Sequence, residues 1–174
     1  MDLKQHIRNI PDFPKPGIMF RDITTLIKEP ETFSYVIDAI SNHYRDKNID
    51  VVVGIESRGF IFGSLVAYKL GLPFAIVRKP GKLPGEVISE EYELEYGTDK
   101  LEMHKDTFEA GQNILIIDDL LATGGTVAAT ARLIEKAGGK VGGAAFVVEL
   151  SFLNGREKLK DYDVLSLVTY DSEE

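Results

Sequence analysis

No cysteine occurs among the 174 residues, which excludes both a disulfide framework and a thiol nucleophile. Long apolar runs are missing and the first residues do not read as a signal peptide, so a cytoplasmic chain without a membrane partner is expected. Histidine is scarce. His6, His43 and His104 stand far apart and lack ligand spacing, which argues against a histidine-built metal site and leaves each as a surface or packing residue. Positive charge is in deficit, since 20 lysines and arginines face 28 acids for a net charge of −8. That balance opposes nonspecific binding to nucleic acid or a membrane surface. Any anionic substrate must then meet a local positive patch. Internal repeats and low-complexity stretches are also absent, and one domain of this length can bury about 70% of its unfolded-state surface without staples.

What the chain does have is concentrated between Asn113 and Thr126. Ile114-Leu115-Ile116-Ile117 is an apolar run too short for a helix, and it reads as a strand buried on both faces of a parallel sheet. Asp118 and Asp119 stand at its carboxyl end, where ligands bind in open α/β sheets. The loop Ala122-Thr123-Gly124-Gly125-Thr126 then leads into helical periodicity from Val127 to Ala137. Thr123 to Thr126 can fold as a nest of N–H donors at a helix start, where the helix dipole also favours negative charge. Gly124 and Gly125 permit positive φ and close approach of a phosphate, and the hydroxyls of Thr123 and Thr126 can donate to it. The two aspartates would repel that phosphate. A ligand suited to both must carry hydroxyls or a chelated cation close to its phosphate, as a ribose 5-phosphate does. The plainer alternative, capping aspartates and a glycine turn, needs fewer of these residues than are present.

Along the rest of the chain, residues 2–9 have the pattern of a short helix, and Pro11 to Asp22 should run extended because of its prolines. Phe13, Ile18, Met19 and Phe20 make that stretch either an apolar lid or an ordinary packed arm. Phe33, Val36, Ile37, Ile40 and Tyr44 recur at helical spacing. Asp50 to Ile55 reads as a buried strand, followed by Glu56-Ser57-Arg58-Gly59-Phe60 and an apolar helix from Ile61 to Leu70. Gly54 and Gly59 have P-loop spacing, but Phe60 stands where the lysine of that motif belongs, so nucleoside triphosphate binding of that type is rejected. Ser57 and Arg58 remain suited to a second anion, unless Arg58 merely caps a turn. A third strand, Leu72 to Val77, runs into Arg78-Lys79-Pro80-Gly81-Lys82-Leu83-Pro84-Gly85, a basic turn that is either a solvated face or a phosphate contact. Glu91, Glu93 and Glu95 alternate with Tyr92, Leu94 and Tyr96 before a turn at Gly97-Thr98-Asp99, which predicts a projecting β-hairpin. Lys140 to Val148 and Asp163 to Tyr170 read as further strands, Gly155 to Leu159 as a polar turn or helix, and the acidic tail from Asp171 as frayed.

Six of these stretches resemble, in order, the motifs of the type I phosphoribosyltransferases, and most closely those of adenine phosphoribosyltransferases. They are Phe13-Pro14-Lys15-Pro16-Gly17, Phe20-Arg21-Asp22-Ile23, Glu56 to Phe60, Arg78 to Gly85, Leu94-Glu95-Tyr96-Gly97, and Asp118 to Thr126. The resemblance implies one α/β domain, a parallel sheet flanked by helices, with an N-terminal hood over about residues 1–30 and a flexible hairpin flap over about residues 80–105. It implies adenine and 5-phosphoribosyl 1-diphosphate as substrates, AMP and pyrophosphate as products, Mg²⁺ carried by the diphosphate, and a homodimer. Asp118 and Asp119 would bind the ribose hydroxyls, directly or through Mg²⁺ waters, while Ala122, Thr123, Gly124, Gly125 and Thr126 hold the 5-phosphate. Ser57, Arg58, Arg78, Lys79 and Lys82 would face the pyrophosphate, in a loop that often holds a non-proline cis peptide. Met19, Phe20 and Arg21 would meet adenine, and Glu95 matches the acid–base residue, its alternative being a solvated hairpin glutamate like Glu91 or Glu93. The competing functions are transfer to another purine base, a non-catalytic sensor of the same diphosphate, and a subunit of the synthetase that makes it. The sensor lacks the basic surface it would need for nucleic acid, and the synthetase would need a longer chain.

Overall fold

The computed structural model describes residues 1–94 and 96–174, so Glu95 lies outside the described residues. After a 3-10 turn at Leu3–His6, β1 (Arg8–Pro11) pairs antiparallel with β2 (Met19–Asp22). The helix expected over residues 2–9 is therefore a turn and a strand. So short a segment gains little from helix nucleation, whereas the ladder to β2 satisfies its backbone groups. Two helices follow, α1 (Thr24–Ile27) and α2 (Pro30–Tyr44), the second opening on a proline whose missing N–H costs nothing in the first turn.

The main sheet is built by β3 (Val51–Ile55), β4 (Phe74–Val77), β7 (Asn113–Leu121), β8 (Lys140–Leu150) and β9 (Val164–Tyr170), all parallel, in the order β4-β3-β7-β8-β9. Helix α3 (Arg58–Leu70) connects β3 to β4 and α4 (Gly125–Lys136) connects β7 to β8. Between them β5 (Val87–Glu93) and β6 (Thr98–His104) form an antiparallel hairpin. Among the described residues no helix is long and apolar enough to cross a membrane.

Alternation along the strands divides the core between the two faces of the sheet. Val52, Leu115 and Ile117 pack with α2 and α3, whereas Val51, Val53, Ile55, Ile114 and Ile116 pack with α4 and the hairpin. The hairpin is rooted in that second core through buried Tyr92, Leu101 and Met103, while Leu94 and Tyr96 at its tip are exposed. Thr98 and Asp99 belong to β6 rather than to the expected turn, because they pair with Glu93 and Tyr92.

Three further boundaries differ from expectation. Helix α3 starts at Arg58, not Ile61, so the helix N-terminus reaches the loop itself. Strand β7 continues through both aspartates to Leu121, since Asp118 pairs with Phe146 and Leu120 with Val148 of β8. The acidic tail is not frayed but tied to β2. Glu173 accepts the Met19 N–H at 2.9 Å, and Arg21, only 5% exposed, donates to the Ser172 carbonyl at 3.2 Å while its guanidinium lies 3.9 Å from the Tyr170 ring centroid. A buried guanidinium must find acceptors, and the tail supplies them.

Phe62 of α3 is wholly buried, with its ring edge-on to Phe33 at 5.9 Å. Phe62→Ala should cost about 3–5 kcal/mol through lost burial and the cavity left behind. The measurement is the urea midpoint, and a shift equivalent to less than about 1 kcal/mol would contradict this account of the core.

Candidate active site

The carboxyl ends of β3 and β7 lie side by side, and the loops that follow them form the site. Register places Gly54 opposite Ile117 and Ile55 opposite Val77. Glu56, Asp118 and the start of the basic turn are thereby brought to one edge. Gly59 in the first turn of α3 lets the helix press against β7, because a Cβ there would stand 2.9 Å from the Ile117 carbonyl oxygen and 3.0 Å from Asp118 Oδ1. The Glu56–Ser57 peptide is cis, as the sequence resemblance implied.

Asp118 and Asp119 are both buried, at 9% and 7% exposure. The Asp119 N–H donates to Asp118 Oδ1 at 2.8 Å, and Arg58 Nε donates to Asp119 Oδ2 at 2.6 Å. Burial raises the Asp118 carboxyl well above the usual carboxylate range, and the adjacent Asp119 charge raises it further. Burial also works against the charge on Arg58, but Asp119, Asp118 and Asp22 together more than offset it and raise the guanidinium pKa. The guanidinium also lies 5.8 Å from the Phe20 ring centroid. Phe20, Arg58 and Asp119, separate in sequence, thus stand in one row.

Beside this pair the chain turns through Gly124, at φ +86°, into α4. Gly124 is the N-cap and offers no side-chain acceptor, so the first N–H groups of α4 meet no capping side chain. Such a helix start attracts an anion. Ala122 to Thr126 line a cavity of about 870 Å³ with Tyr92, Glu93 and Leu94 of the hairpin across from them. Only glycine suits this turn, since a Cβ at Gly124 would meet the Gly155 carbonyl oxygen at 2.8 Å in addition to its positive φ.

The cations expected to face pyrophosphate are gathered, but around a carboxylate that the sequence reading had not singled out. Glu56 accepts from Arg78 Nε at 3.2 Å, from the Lys79 N–H at 2.8 Å and from Lys82 Nζ at 2.5 Å. Burial pushes the Glu56 carboxyl up, but the Lys82 and Lys79 hydrogen bonds and the nearby cations outweigh it and hold its pKa below the usual value. The Lys79 side chain instead joins Asp99 and the Tyr92 hydroxyl, the latter at 2.9 Å, so it fastens the hairpin to the turn. The parallel register was the available signal for Glu56, because it follows Ile55 as Arg78 follows Val77. Near the N-terminus, Phe13 and Phe20 meet edge-on at 5.1 Å. The Arg21 side chain is committed to Asn9, Tyr170 and the tail.

The burial of Asp118 has a consequence for stability. An acid whose folded pKa is raised binds its proton more readily in the folded chain, so folding loses stability as pH rises above the ordinary carboxylate range. Asp118→Asn keeps the Oδ1 acceptor and removes the charge. It should melt with the parent near pH 4 and above it at pH 7.5. Thermal melts across pH check this, and a constant difference would refute it.

Comparison with known proteins follows the same lines. Residues 22–173 match the family model described as a phosphoribosyl transferase domain. The adenine phosphoribosyltransferase of Koribacter versatilis is 59% identical over 169 residues, covering 97% of this chain and 93% of the relative. The crystal structure of adenine phosphoribosyltransferase from Thermoanaerobacter pseudethanolicus has a TM-score of 0.94 at 51% identity, covering 97% of this chain and 98% of that one. The Saccharomyces cerevisiae enzyme, in complex with an imino-altritol bisphosphate and adenine, has a TM-score of 0.91 at 43% identity, covering 95% of this chain and 96% of that one. The chain belongs to the phosphoribosyl transferase family, among the adenine phosphoribosyltransferases.

Proposed function

We propose that the chain converts adenine and 5-phosphoribosyl 1-diphosphate to AMP and pyrophosphate. The observation that carries this reading is the juxtaposition of three parts in one cleft: an uncapped phosphate loop, two buried carboxylates beside it, and Arg58 between those carboxylates and Phe20 of the hood. The yeast relative is named with adenine and a bisphosphate bound, two ligands that call for such parts.

In this reading Ala122 to Thr126 hold the 5-phosphate through backbone N–H groups and hydroxyls, and Asp118 and Asp119 accept from the ribose hydroxyls. Met19 and Arg21 present backbone groups to adenine, with Phe20 against the ring. The C1′–O bond to pyrophosphate breaks as the bond from C1′ to the purine nitrogen forms with inversion, and the purine gives up a proton. No covalent nucleophile is needed. Negative charge developing on the leaving pyrophosphate is stabilised by Arg58, by the N–H groups around Ser57, and by Arg78, Lys79 and Lys82 once the diphosphate displaces Glu56 and Asp99 as their partners.

Among the described residues no group of three or more histidines, aspartates or glutamates gathers to hold a metal. The adjacent oxygens of Asp118 and Asp119 suit a hard cation or its waters, so these two residues would hold a Mg²⁺ carried by the substrate diphosphate, which would supply neutralisation of leaving-group charge. The family likeness also supports a cytoplasmic homodimer.

Incubation of the protein with Mg²⁺, 5-phosphoribosyl 1-diphosphate and each purine base in turn should yield AMP and pyrophosphate from adenine. A nucleotide from another base would change the specificity, and no product with any base would leave a sensor. We further assign Glu95 as the acid–base group at the purine. Glu95→Gln should then lower turnover by about 10²–10⁴-fold with an unchanged melt, whereas Glu91→Gln and Glu93→Gln should act like the parent. Equal turnover in Glu95→Gln and the parent removes that role.

A further inference from the structure

The phosphate loop contains no basic residue of its own, although a phosphate monoester carries nearly two negative charges and this protein is acidic. Two cations line the cavity, Arg132 and Lys158. Arg132 is engaged, with Nε at 3.1 Å from Glu90 and Nη2 at 2.9 Å from the Glu91 carbonyl. Lys158 is different. Its Nζ donates to the carbonyl oxygen of Thr123, inside the phosphate loop, and no carboxylate among the described residues forms an ion pair with it. Its charge is therefore unneutralised and held at the loop.

The backbone around Lys158 is fixed against the same loop. Lys158 lies in the 3-10 segment Gly155–Leu159, whose Leu159 is buried in the core beneath α4. A Cβ at Gly155 would stand 2.4 Å from the Ala122 carbonyl oxygen, and one at Gly124 would stand 2.8 Å from the Gly155 carbonyl oxygen. Two glycines thus allow the segment and the loop to meet backbone to backbone. Arg156 anchors the other side of the segment, with Nε 2.9 Å and 3.0 Å from the two oxygens of buried Glu149. The Lys158 ammonium is already bonded to the Thr123 carbonyl, so part of its ordering cost is met before a ligand arrives.

We infer that Lys158 is the counter-charge for the 5-phosphate, completing from a distant part of the chain an anion site that the loop supplies only with N–H and hydroxyl donors. This rests on the reading of Ala122 to Thr126 as a ribose 5-phosphate cradle. The ammonium needs only to swing from the Thr123 carbonyl toward a phosphate oxygen in the loop. A charged hydrogen bond of this kind changes affinity by about tenfold or more.

Titration calorimetry with ribose 5-phosphate on the parent, Lys158→Gln and Lys158→Arg separates charge from shape. Glutamine keeps a neutral N–H donor on a shorter side chain and carries no charge, whereas arginine keeps the charge. Lys158→Gln should bind ribose 5-phosphate about tenfold more weakly, and Lys158→Arg within about threefold of the parent. In the AMP-forming assay Lys158→Gln should raise the KM for the ribosyl diphosphate by a similar factor and leave the KM for adenine unchanged. Thermal melts of all three should coincide, since Lys158 is exposed. Parent-like binding by Lys158→Gln overturns the inference while the proposed reaction stands. Equal losses in both variants also overturn it, because they would show a role in shape rather than charge. Failure of the parent itself to bind ribose 5-phosphate takes the cradle and the counter-charge down together.

Discussion

Two adjacent carboxylates held inside a parallel sheet repel one another and lose hydration, and much of the site compensates for that arrangement. Strand β7 cannot end before Asp118, because β8 pairs with it beyond that point. The pair is therefore buried by the ladder itself. Arg58 neutralises one member, and its position depends on α3 starting at Arg58 and on Gly59 permitting close contact with β7. Raised proton affinity at Asp118 expresses what remains uncompensated. Such a site gains from a ligand that brings hydroxyl donors or a cation.

Around this centre the cations of the basic turn are paired with carboxylates. Glu56 collects Arg78, Lys82 and the Lys79 backbone, and Asp99 takes the Lys79 side chain. An acidic protein cannot leave a large basic cluster bare without self-attraction elsewhere, and ion pairs at a partly exposed edge contribute little to stability. They are exchangeable. Each such pair can open at the cost of little stability. The β1–β2 ribbon is fixed by a comparable device, with Arg21 drawing the tail onto β2 while the ring of Phe20 lies near Arg58.

Much of the site could be read from the sequence because its pieces are local. The uncapped helix start announces itself through Thr123-Gly124-Gly125-Thr126 after a buried run, and the continuous apolar runs of β3 and β7 place both strands in a parallel core. Glu56 and Lys158 were harder. Each acts on residues far away in the chain, Glu56 on a turn 22 to 26 positions later and Lys158 on a loop 35 positions earlier. Glu56 stands at a strand end within a recognisable motif, but neither residue's local sequence shows which distant group it meets. The boundary errors have the same source. Arg8–Pro11 is a strand because Met19–Asp22 returns beside it, and Asp171 to Glu174 is held by the distant Met19, Arg21 and Ser151.

The sequence alone determined the strand and loop chemistry, the excess of acid that any anion site must overcome, and the family motifs. These follow from local periodicity, glycine placement and charge count, which do not need a partner segment to have meaning. Tertiary structure alone decided which charges meet. It set Arg58 against Asp119, Glu56 at the hub of the basic turn and Lys158 beside Thr123. The physical reason is that electrostatic interactions depend on separation in space and on exclusion of water, and only the packed sheet fixes both.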